Sequence, residues 1–293
     1  MADGGSTGGV LASGHAAMVR RAVTTAGPAG APALVLLHGT RRTRTMWRLQ
    51  LDSLAGAFRV IAVDLPGHGA LADVPFRLTD ASDFVAAVID EIAGGRAIVV
   101  GSSMGGYVAM DLVARRPERV AGLVLANATA EPRTVARRAP RTVGSYLVVA
   151  AGELLHGTPG QGAGGKGGPA GEPGPGATAA PGGTASSGNG PATNGWLFKG
   201  GARALVAALR MSFIPRLAAY PGPTLLLNGE DDGLFRRGER AFLAAATDGR
   251  LVVIPGTGHL VNEEQPVAFN AAVRRFAAEV GAAEVGAAEV PRA

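Results

Sequence analysis

The stretch from Ile98 to Met110 constrains the fold of this chain more than any other. An apolar run rich in β-branched residues ends in G-S-S-M-G-G at residues 101–106, and a helix-like pattern follows directly. This is the G-x-S-x-G pattern, in which a sharp strand-to-helix turn exposes the central serine at the edge of a sheet. Gly101 and Gly105 suit such a turn because close backbone segments leave no room for a Cβ atom. The pattern predicts a nucleophile elbow with Ser103 as the nucleophile.

Strand-like and helix-like segments alternate on both sides of this elbow. A β-α-β alternation with short loops is typical of a mostly parallel sheet that is covered by helices on both faces and joined by right-handed crossovers. The fold class predicted from this pattern is α/β. The predicted strands are Ala17–Thr24, Ala33–Thr40, Phe58–Val63, Arg96–Gly101, Val120–Ala126, Pro223–Gly229 and Arg250–Ile254.

The alternation stops between residues 129 and 220, which predicts a helical lid inserted into the sheet. More than half of residues 157–195 are Gly or Pro, and none is Val, Leu, Ile or aromatic. Such a composition cannot bury enough apolar surface to offset its ordering entropy, so a disordered loop is expected there. A disordered leader is predicted at 1–15 and a low-complexity tail at 281–293. Residues 16–293 are expected to form a single domain.

The composition excludes several classes of protein. The chain has no Cys, which excludes disulfides, thiolate metal sites and thiol catalysis. It shows neither a signal-peptide pattern nor an apolar run of about 18 residues, so we expect a cytoplasmic protein without a membrane span. The net charge of +5 is spread over arginines scattered between apolar runs, which indicates compositional bias. We therefore expect no nucleic-acid partner.

A serine nucleophile requires a general base and an acid, and the chain offers both after predicted strands. Serine is a poor nucleophile unless a histidine takes its proton, and a carboxylate fixes the tautomer of that histidine. The sequence G-E-D-D at 229–232 follows one strand and G-H at 258–259 follows the next. The candidates are Ser103 as nucleophile, His259 as base, and Asp231 or Asp232 as acid.

Five motifs in this order resemble the α/β-hydrolase superfamily, in its single-domain form with a lid. The resemblance implies a Ser-Asp-His order, an acid three residues after the strand-end glycine, which favours Asp232, and an oxyanion hole formed by the backbone N–H groups of Thr40 and Met104. It also implies loop roles for His38, His68 and Asp64. The motifs are L-L-H-G-T at 36–40, D-L-P-G-H-G at 64–69, G-S-S-M-G-G at 101–106, N-G-E-D-D at 228–232 and P-G-T-G-H at 255–259.

These residues predict a serine hydrolase that cleaves a small carboxylic ester, thioester or lactone through an acyl-enzyme, without a cofactor or metal. Perhydrolysis of the haloperoxidase type, carbon–carbon bond hydrolysis and acyl transfer use the same triad and stay open as alternatives. A non-catalytic ligand receptor on the same fold is a further alternative. The arginines at 41, 42, 44 and 48 fit a solvated face better than a site for acidic substrates. The oligomeric state is left open.

Overall fold

The computed structural model describes residues 16–133 and 211–289, with side chains described up to residue 283. The predicted leader at 1–15, the Gly/Pro-rich loop at 157–195, most of the predicted lid and the end of the tail lie outside these ranges. Those predictions, and the single-domain assignment, therefore stay predictions.

Seven strands form one mostly parallel sheet, which confirms the predicted fold class. The strands are β1 Val23–Ala26, β2 Ala33–Leu37, β3 Arg59–Val63, β4 Ala97–Ser102, β5 Val120–Ala126, β6 Pro223–Gly229 and β7 Asp248–Ile254. Their order in the sheet is β1-β3-β2-β4-β5-β6-β7, with β1 antiparallel to β3 and every other neighbouring pair parallel. The chain runs outward from β2 to β3, crosses back over β2 to β4, and then runs outward in the other direction, a reversal that is typical of a doubly wound sheet.

Helices cover both faces of the sheet, because successive side chains of each buried strand point to opposite sides. In β2, Val35 and Leu37 join one hydrophobic cluster, whereas Leu34 and Leu36 join the other. The helices are α1 16–22, α2 Arg48–Leu54, α3 Leu78–Ile92, α4 Met104–Arg115, α5 Ile214–Ala218, α6 Glu239–Ala245, α7 Val261–Glu264 and α8 Pro266–Glu289. The first cluster includes side chains of α1, α3, α4, α5 and α6, and the second includes side chains of α2 and α8.

The first predicted strand is wrong over most of its length. Residues 16–22 are helical, and only Val23–Ala26 pairs with the sheet. Val19 and Ala22 are fully buried three residues apart, so one face of a helix packs on the core. Ala, Met and Arg make up six of the seven residues at 16–22 and also favour a helix. The other six predicted strands are found within two residues of their predicted ends, except that β2 ends at Leu37.

The parallel arrangement places the five motifs at one edge of the sheet. Each motif follows the carboxyl end of a parallel strand, from β2, β3, β4, β6 and β7. Ligands of open α/β sheets bind outside this edge, so the fold alone brings these distant motifs to one place.

Candidate active site

Ser103 occupies a strained turn between β4 and α4. Its backbone has φ 49° and ψ −113°, a conformation that non-glycine residues rarely adopt and that costs about 1–3 kcal/mol. The turn is held by hydrogen bonds from the Ser103 N–H to the Ala126 carbonyl (2.9 Å) and from the Gly106 N–H to the Ser103 carbonyl (3.0 Å). The surrounding strands therefore maintain a conformation that raises the serine side chain above the sheet edge.

The glycines of the elbow are required by close backbone contacts. A Cβ atom at Gly101 would lie 2.5 Å from the Gly105 carbonyl oxygen, and one at Gly105 would collide with the Leu37 carbonyl. Real Cβ atoms do not approach other heavy atoms this closely. The steric reason inferred from the sequence for glycine at 101 and 105 is thus present in the structure.

The loop after β2 lies directly against the elbow. A Cβ atom at Gly39 would lie 3.3 Å from the Ser103 Cβ, so the backbone of this loop passes over the serine. Thr40 directly follows Gly39 in the sequence, and Met104 directly follows Ser103. Met104 is also the first residue of α4, where unpaired N–H groups create a partial positive charge. The placement suits both residues for the oxyanion hole predicted from the sequence.

His38 is a buried structural residue of this loop. Its Nε2 accepts the Leu65 N–H (3.1 Å), so its Nδ1 carries the proton and donates to the Gly39 carbonyl (2.9 Å). Burial, with a smaller contribution from the neighbouring His68, lowers the pKa of His38 to about 3 despite the opposing effect of the Gly39 carbonyl. His38 is therefore neutral at pH 7, and both ring nitrogens hold the loop.

Asp64 and His68 stabilise the loop after β3. The Asp64 carboxylate accepts the N–H groups of Arg44 (2.7 Å) and Ala70 (2.9 Å) and pairs with the Arg44 guanidinium (3.1 Å). His68 is fully buried, with Nδ1 3.0 Å from the Pro66 carbonyl. Burial lowers the pKa of His68, although Pro66 and Asp64 act in the opposite direction. These contacts match the loop roles expected from the resemblance.

His259 and Asp232 are joined by a short hydrogen bond. The His259 Nδ1 lies 2.7 Å from the Asp232 Oδ2, and the imidazole packs against the Phe235 ring with centroids 4.7 Å apart. The His259 side chain is 39% exposed, whereas Asp232 is 6% exposed. Asp231 is exposed and donates its own N–H to the Thr257 carbonyl. Of the two candidate acids, Asp232 is therefore the one whose carboxylate contacts His259.

Asn127 is a polar residue of the site that the sequence reasoning missed. Its Nδ2 donates to the Asp232 Oδ2 at 2.6 Å. Burial alone would raise the pKa of Asp232, but the hydrogen bond and charge of His259, together with Asn127 and the Phe235 N–H, outweigh it and lower the pKa below its ordinary value. A signal existed in the sequence, since Asn127 directly follows a buried parallel strand at the edge where the other motifs lie.

Glu264 holds the loop that carries His259. Its carboxylate accepts the Gly258 N–H (2.6 Å) and the Leu260 N–H (2.9 Å), the two backbone donors on either side of the histidine. A charge-assisted pair of hydrogen bonds to one carboxylate restrains such a loop more than neutral contacts would. The sequence indicated only that Glu264 belongs to a helix start.

The arginine group near the oxyanion loop is partly engaged in ion pairs. Arg44 binds Asp64 as described above, and Arg42 pairs with Glu263 at 3.4 Å, across from the histidine loop. Arg48 is exposed. The sequence predicted a solvated face for these arginines. Two of them, Arg42 and Arg44, instead form ion pairs that join separate segments around the site.

Within residues 16–133 and 211–289, no helix is both long and apolar enough to span a bilayer. The same ranges contain no group of three or more His, Cys, Asp or Glu residues arranged to hold a metal ion.

Comparison with known proteins identifies a family and several esterases. The model of the alpha/beta hydrolase family matches residues 34–272. The solved structure of a thermophilic esterase from Thermogutta terrifontis superposes with a TM-score of 0.64 at 25% identity, covering 88% of this chain and 93% of that chain.

Curated relatives match shorter or more divergent stretches. A pimeloyl-[acyl-carrier protein] methyl ester esterase from Nitrosomonas europaea is 43% identical over 98 residues, which are 33% of this chain and only 38% of that protein. A Bacillus subtilis protein with the provisional name 2-succinyl-6-hydroxy-2,4-cyclohexadiene-1-carboxylate synthase is 26% identical over 267 residues, 89% of this chain and 96% of that protein.

Proposed function

The chain belongs to the alpha/beta hydrolase family, and from this premise we propose that it is a serine hydrolase that cleaves a carboxylic ester, thioester or lactone. The observation that carries the proposal is the 2.7 Å hydrogen bond between His259 and Asp232, at the same sheet edge as the strained Ser103. A carboxylate on Nδ1 leaves Nε2 of the same ring available as a proton acceptor. The names of the esterase relatives support the substrate class.

In the proposed first half-reaction, the Ser103 Oγ attacks the substrate carbonyl while the His259 Nε2 takes the hydroxyl proton. Asp232 stabilises the imidazolium that forms. The N–H groups of Thr40 and Met104 donate to the developing oxyanion, which is the charge that the site must stabilise. The tetrahedral intermediate collapses as His259 returns the proton to the leaving alkoxide, thiolate or ring oxygen. An acyl ester of Ser103 remains.

In the second half-reaction, His259 removes a proton from water, which attacks the acyl carbonyl. The same N–H groups hold the second oxyanion, and His259 then protonates the Ser103 Oγ to release the carboxylic acid. No redox step or additional cofactor is required. The acceptor decides the outcome, since peroxide or an alcohol in place of water would give perhydrolysis or acyl transfer from the same acyl-enzyme.

The direct test is reaction of the purified full-length chain with a fluorophosphonate probe and with p-nitrophenyl butyrate. We expect labelling at Ser103, located by mass spectrometry, and a loss of turnover of about 10⁴-fold or more in Ser103→Ala. Ser102→Ala is the matched control, because Ser102 is the buried neighbour within β4, and it should keep labelling and turnover. Unchanged turnover in Ser103→Ala would contradict the proposal.

A panel of esters of increasing chain length, thioesters and lactones then defines the substrate. Hydrogen peroxide and alcohols added as acceptors test perhydrolysis and acyl transfer. Tight binding of one panel member without turnover, unaffected by Ser103→Ala, would indicate the ligand-receptor alternative instead. These experiments do not test the proposed cytoplasmic location, the expected lack of a nucleic-acid partner or the oligomeric state.

A further inference from the structure

Asn127 occupies a position where both its backbone and its side chain are constrained. It follows β5, is fully buried, and has φ 47°, in the left-handed region that Asn tolerates better than most residues. Its N–H donates to the Leu227 carbonyl at 3.0 Å, which continues the pairing of β5 with β6. The backbone bond accounts for the turn. It leaves the chemistry of the side chain unexplained.

The Asn127 amide bridges the two loops of the acid–base pair. Nδ2 donates to the Asp232 Oδ2 at 2.6 Å and to the Gly258 carbonyl at 3.3 Å. The Asp232 Oδ2 is also the oxygen that contacts the His259 Nδ1. One carboxylate oxygen therefore receives two donors, and the same amide group reaches the residue directly before the histidine.

The chemistry of the contact requires an amide at position 127. An amide oxygen 2.6 Å from a carboxylate oxygen would be repulsive, so the orientation with Nδ2 toward Asp232 is the one that the contact permits. An aspartate at 127 would place two carboxylates in contact, and such pairs share a proton. Oδ1 finds no donor among the described residues, so the two Nδ2 bonds set the orientation of the amide.

We infer that Asn127 is a positioning residue of the proposed triad, which holds the Asp232 carboxylate and the Gly258 carbonyl so that His259 keeps its alignment toward Ser103. The inference rests on the proposed function and adds a residue to it. Asn127 acts through Asp232 and His259 and does not itself contact the reacting atoms. Titratable groups near Asn127 and Asp232 include His259, Tyr107 and Glu264. Burial raises the pKa of Tyr107, and the charges of Glu131 and Asp232 act in the same direction.

Two variants separate the side chain from the backbone. Asn127→Gly tolerates the positive φ and removes both Nδ2 bonds. We expect kcat on p-nitrophenyl butyrate to fall about 10- to 100-fold, the effect of losing hydrogen bonds to a charged group, while KM changes less than about twofold. Asn127→Asp keeps the shape and places a second carboxylate against Asp232. Because the enlarged acid–histidine group binds a proton more tightly than the wild-type pair does, the acid limb of the kcat/KM profile should move to higher pH by about one unit.

Asn270→Asp provides the matched control. Asn270 is a buried asparagine of α8 whose Oδ1 accepts from Gln50 (3.1 Å), and the same substitution there is expected to alter stability without moving the pH profile. Thermal unfolding monitored by circular dichroism measures the folded fraction of each variant, and kcat is expressed per folded molecule. A purely structural role of Asn127 would give it the behaviour of this control.

The outcomes are distinguishable from those of the proposed function. If Ser103 of the wild type resists the fluorophosphonate probe, the proposed function fails. The NMR signal of the His259 Nδ1 proton still tests positioning, because this proton lies in the hydrogen bond to Asp232 and its signal should move in Asn127→Gly relative to the wild type. If the wild type is labelled and both variants keep its kcat per folded molecule and its acid limb, the positioning role is overturned.

Discussion

The two halves of the candidate site are built in different ways. The elbow half, residues 38–40 and 101–106, is shaped by backbone sterics, with glycines wherever two segments touch and one serine held at positive φ. The acid–histidine half, residues 127, 229–232 and 258–264, is shaped by side-chain hydrogen bonds to carboxylates. Backbone sterics leave a glycine pattern in the sequence, whereas the side-chain hydrogen bonds join residues as far apart as 131 positions in the chain.

This contrast predicts that substitutions will separate stability from chemistry. Side chains added at the glycines of the elbow half should reduce the stability of the fold, because they force backbone segments apart. Substitutions of the polar side chains of the acid–histidine half should reduce turnover in a folded protein, because they weaken hydrogen bonds that align His259 without creating a steric clash. Only the His259 end of this group is open to solvent, since its side chain is 39% exposed whereas Asp232 and Asn127 are buried.

The largest effect is expected for Asp232→Asn. An amide cannot stabilise the imidazolium and favours the wrong tautomer of His259, so kcat should fall about 10³- to 10⁴-fold with little change in stability. Steady-state kinetics with p-nitrophenyl butyrate measures this fall in kcat. Asp231→Asn is the control and should change kcat less than about twofold. Equal losses in the two variants would contradict the assignment of Asp232 as the acid.

Gly101→Ala should have the largest effect on stability. The new Cβ would lie 2.5 Å from the Gly105 carbonyl oxygen, within two backbone segments that cannot separate without opening the elbow. We expect the free energy of unfolding in urea to fall by about 3 kcal/mol or more. The control is Gly30→Ala, where a Cβ would meet nothing within 4 Å. Similar stabilities of the two variants would show that the elbow is not sterically determined.

His38 should make the stability of the elbow half depend on pH. Its pKa is about 3 in the folded protein and 6.5 in the reference state. Between these values the unfolded chain binds a proton that the folded protein does not, so stability falls as pH decreases below about 6.5. From pH 7 to pH 5 the loss from this residue should be about 2 kcal/mol.

Urea unfolding of the wild type and His38→Asn at the two pH values isolates this contribution. The wild type should lose about 2 kcal/mol more than the variant over this interval. A variant that loses as much as the wild type would assign the pH dependence to other groups.

Glu264→Gln should have the smallest effect. The amide keeps one acceptor oxygen but loses the charge that binds the N–H groups of Gly258 and Leu260, so the histidine loop becomes less restrained. We expect kcat to fall about three- to tenfold, the effect of weakening one charge-assisted hydrogen bond. Glu263→Gln, which removes only the long pair with Arg42, should stay within about twofold. Stopped-flow kinetics measures kcat of both variants. A larger loss of kcat in Glu263→Gln than in Glu264→Gln would contradict the role of Glu264 in holding the histidine loop.

The sequence by itself determined the family, the fold class and the order of the motifs. Largely apolar runs identified β2 to β6, because strands buried on both faces carry mostly apolar side chains. The edge strand β7 is only partly buried, and the sequence identified its last five residues, Arg250–Ile254. The glycines at 101 and 105 predicted the elbow, since only glycine fits where two backbone segments pass this closely. The segment at 16–22 was misassigned, because the run of β-branched residues that favours a strand begins only at Val23. Residues 16–22 are mostly Ala, Met and Arg, and Val19 and Ala22 pack on the core from one helical face.

The tertiary structure alone decided which polar groups meet at the sheet edge. It placed the carboxylate of Asp232, which the resemblance had favoured over Asp231, against His259. It also added Asn127 and Glu264, whose hydrogen-bond partners cannot be identified from the neighbouring sequence. The physical reason is range. A steric requirement for glycine shows in the sequence whatever the segment opposite, because one residue type satisfies it. A hydrogen bond to a carboxylate needs a specific partner, and that partner depends on where separate strands of the sheet end.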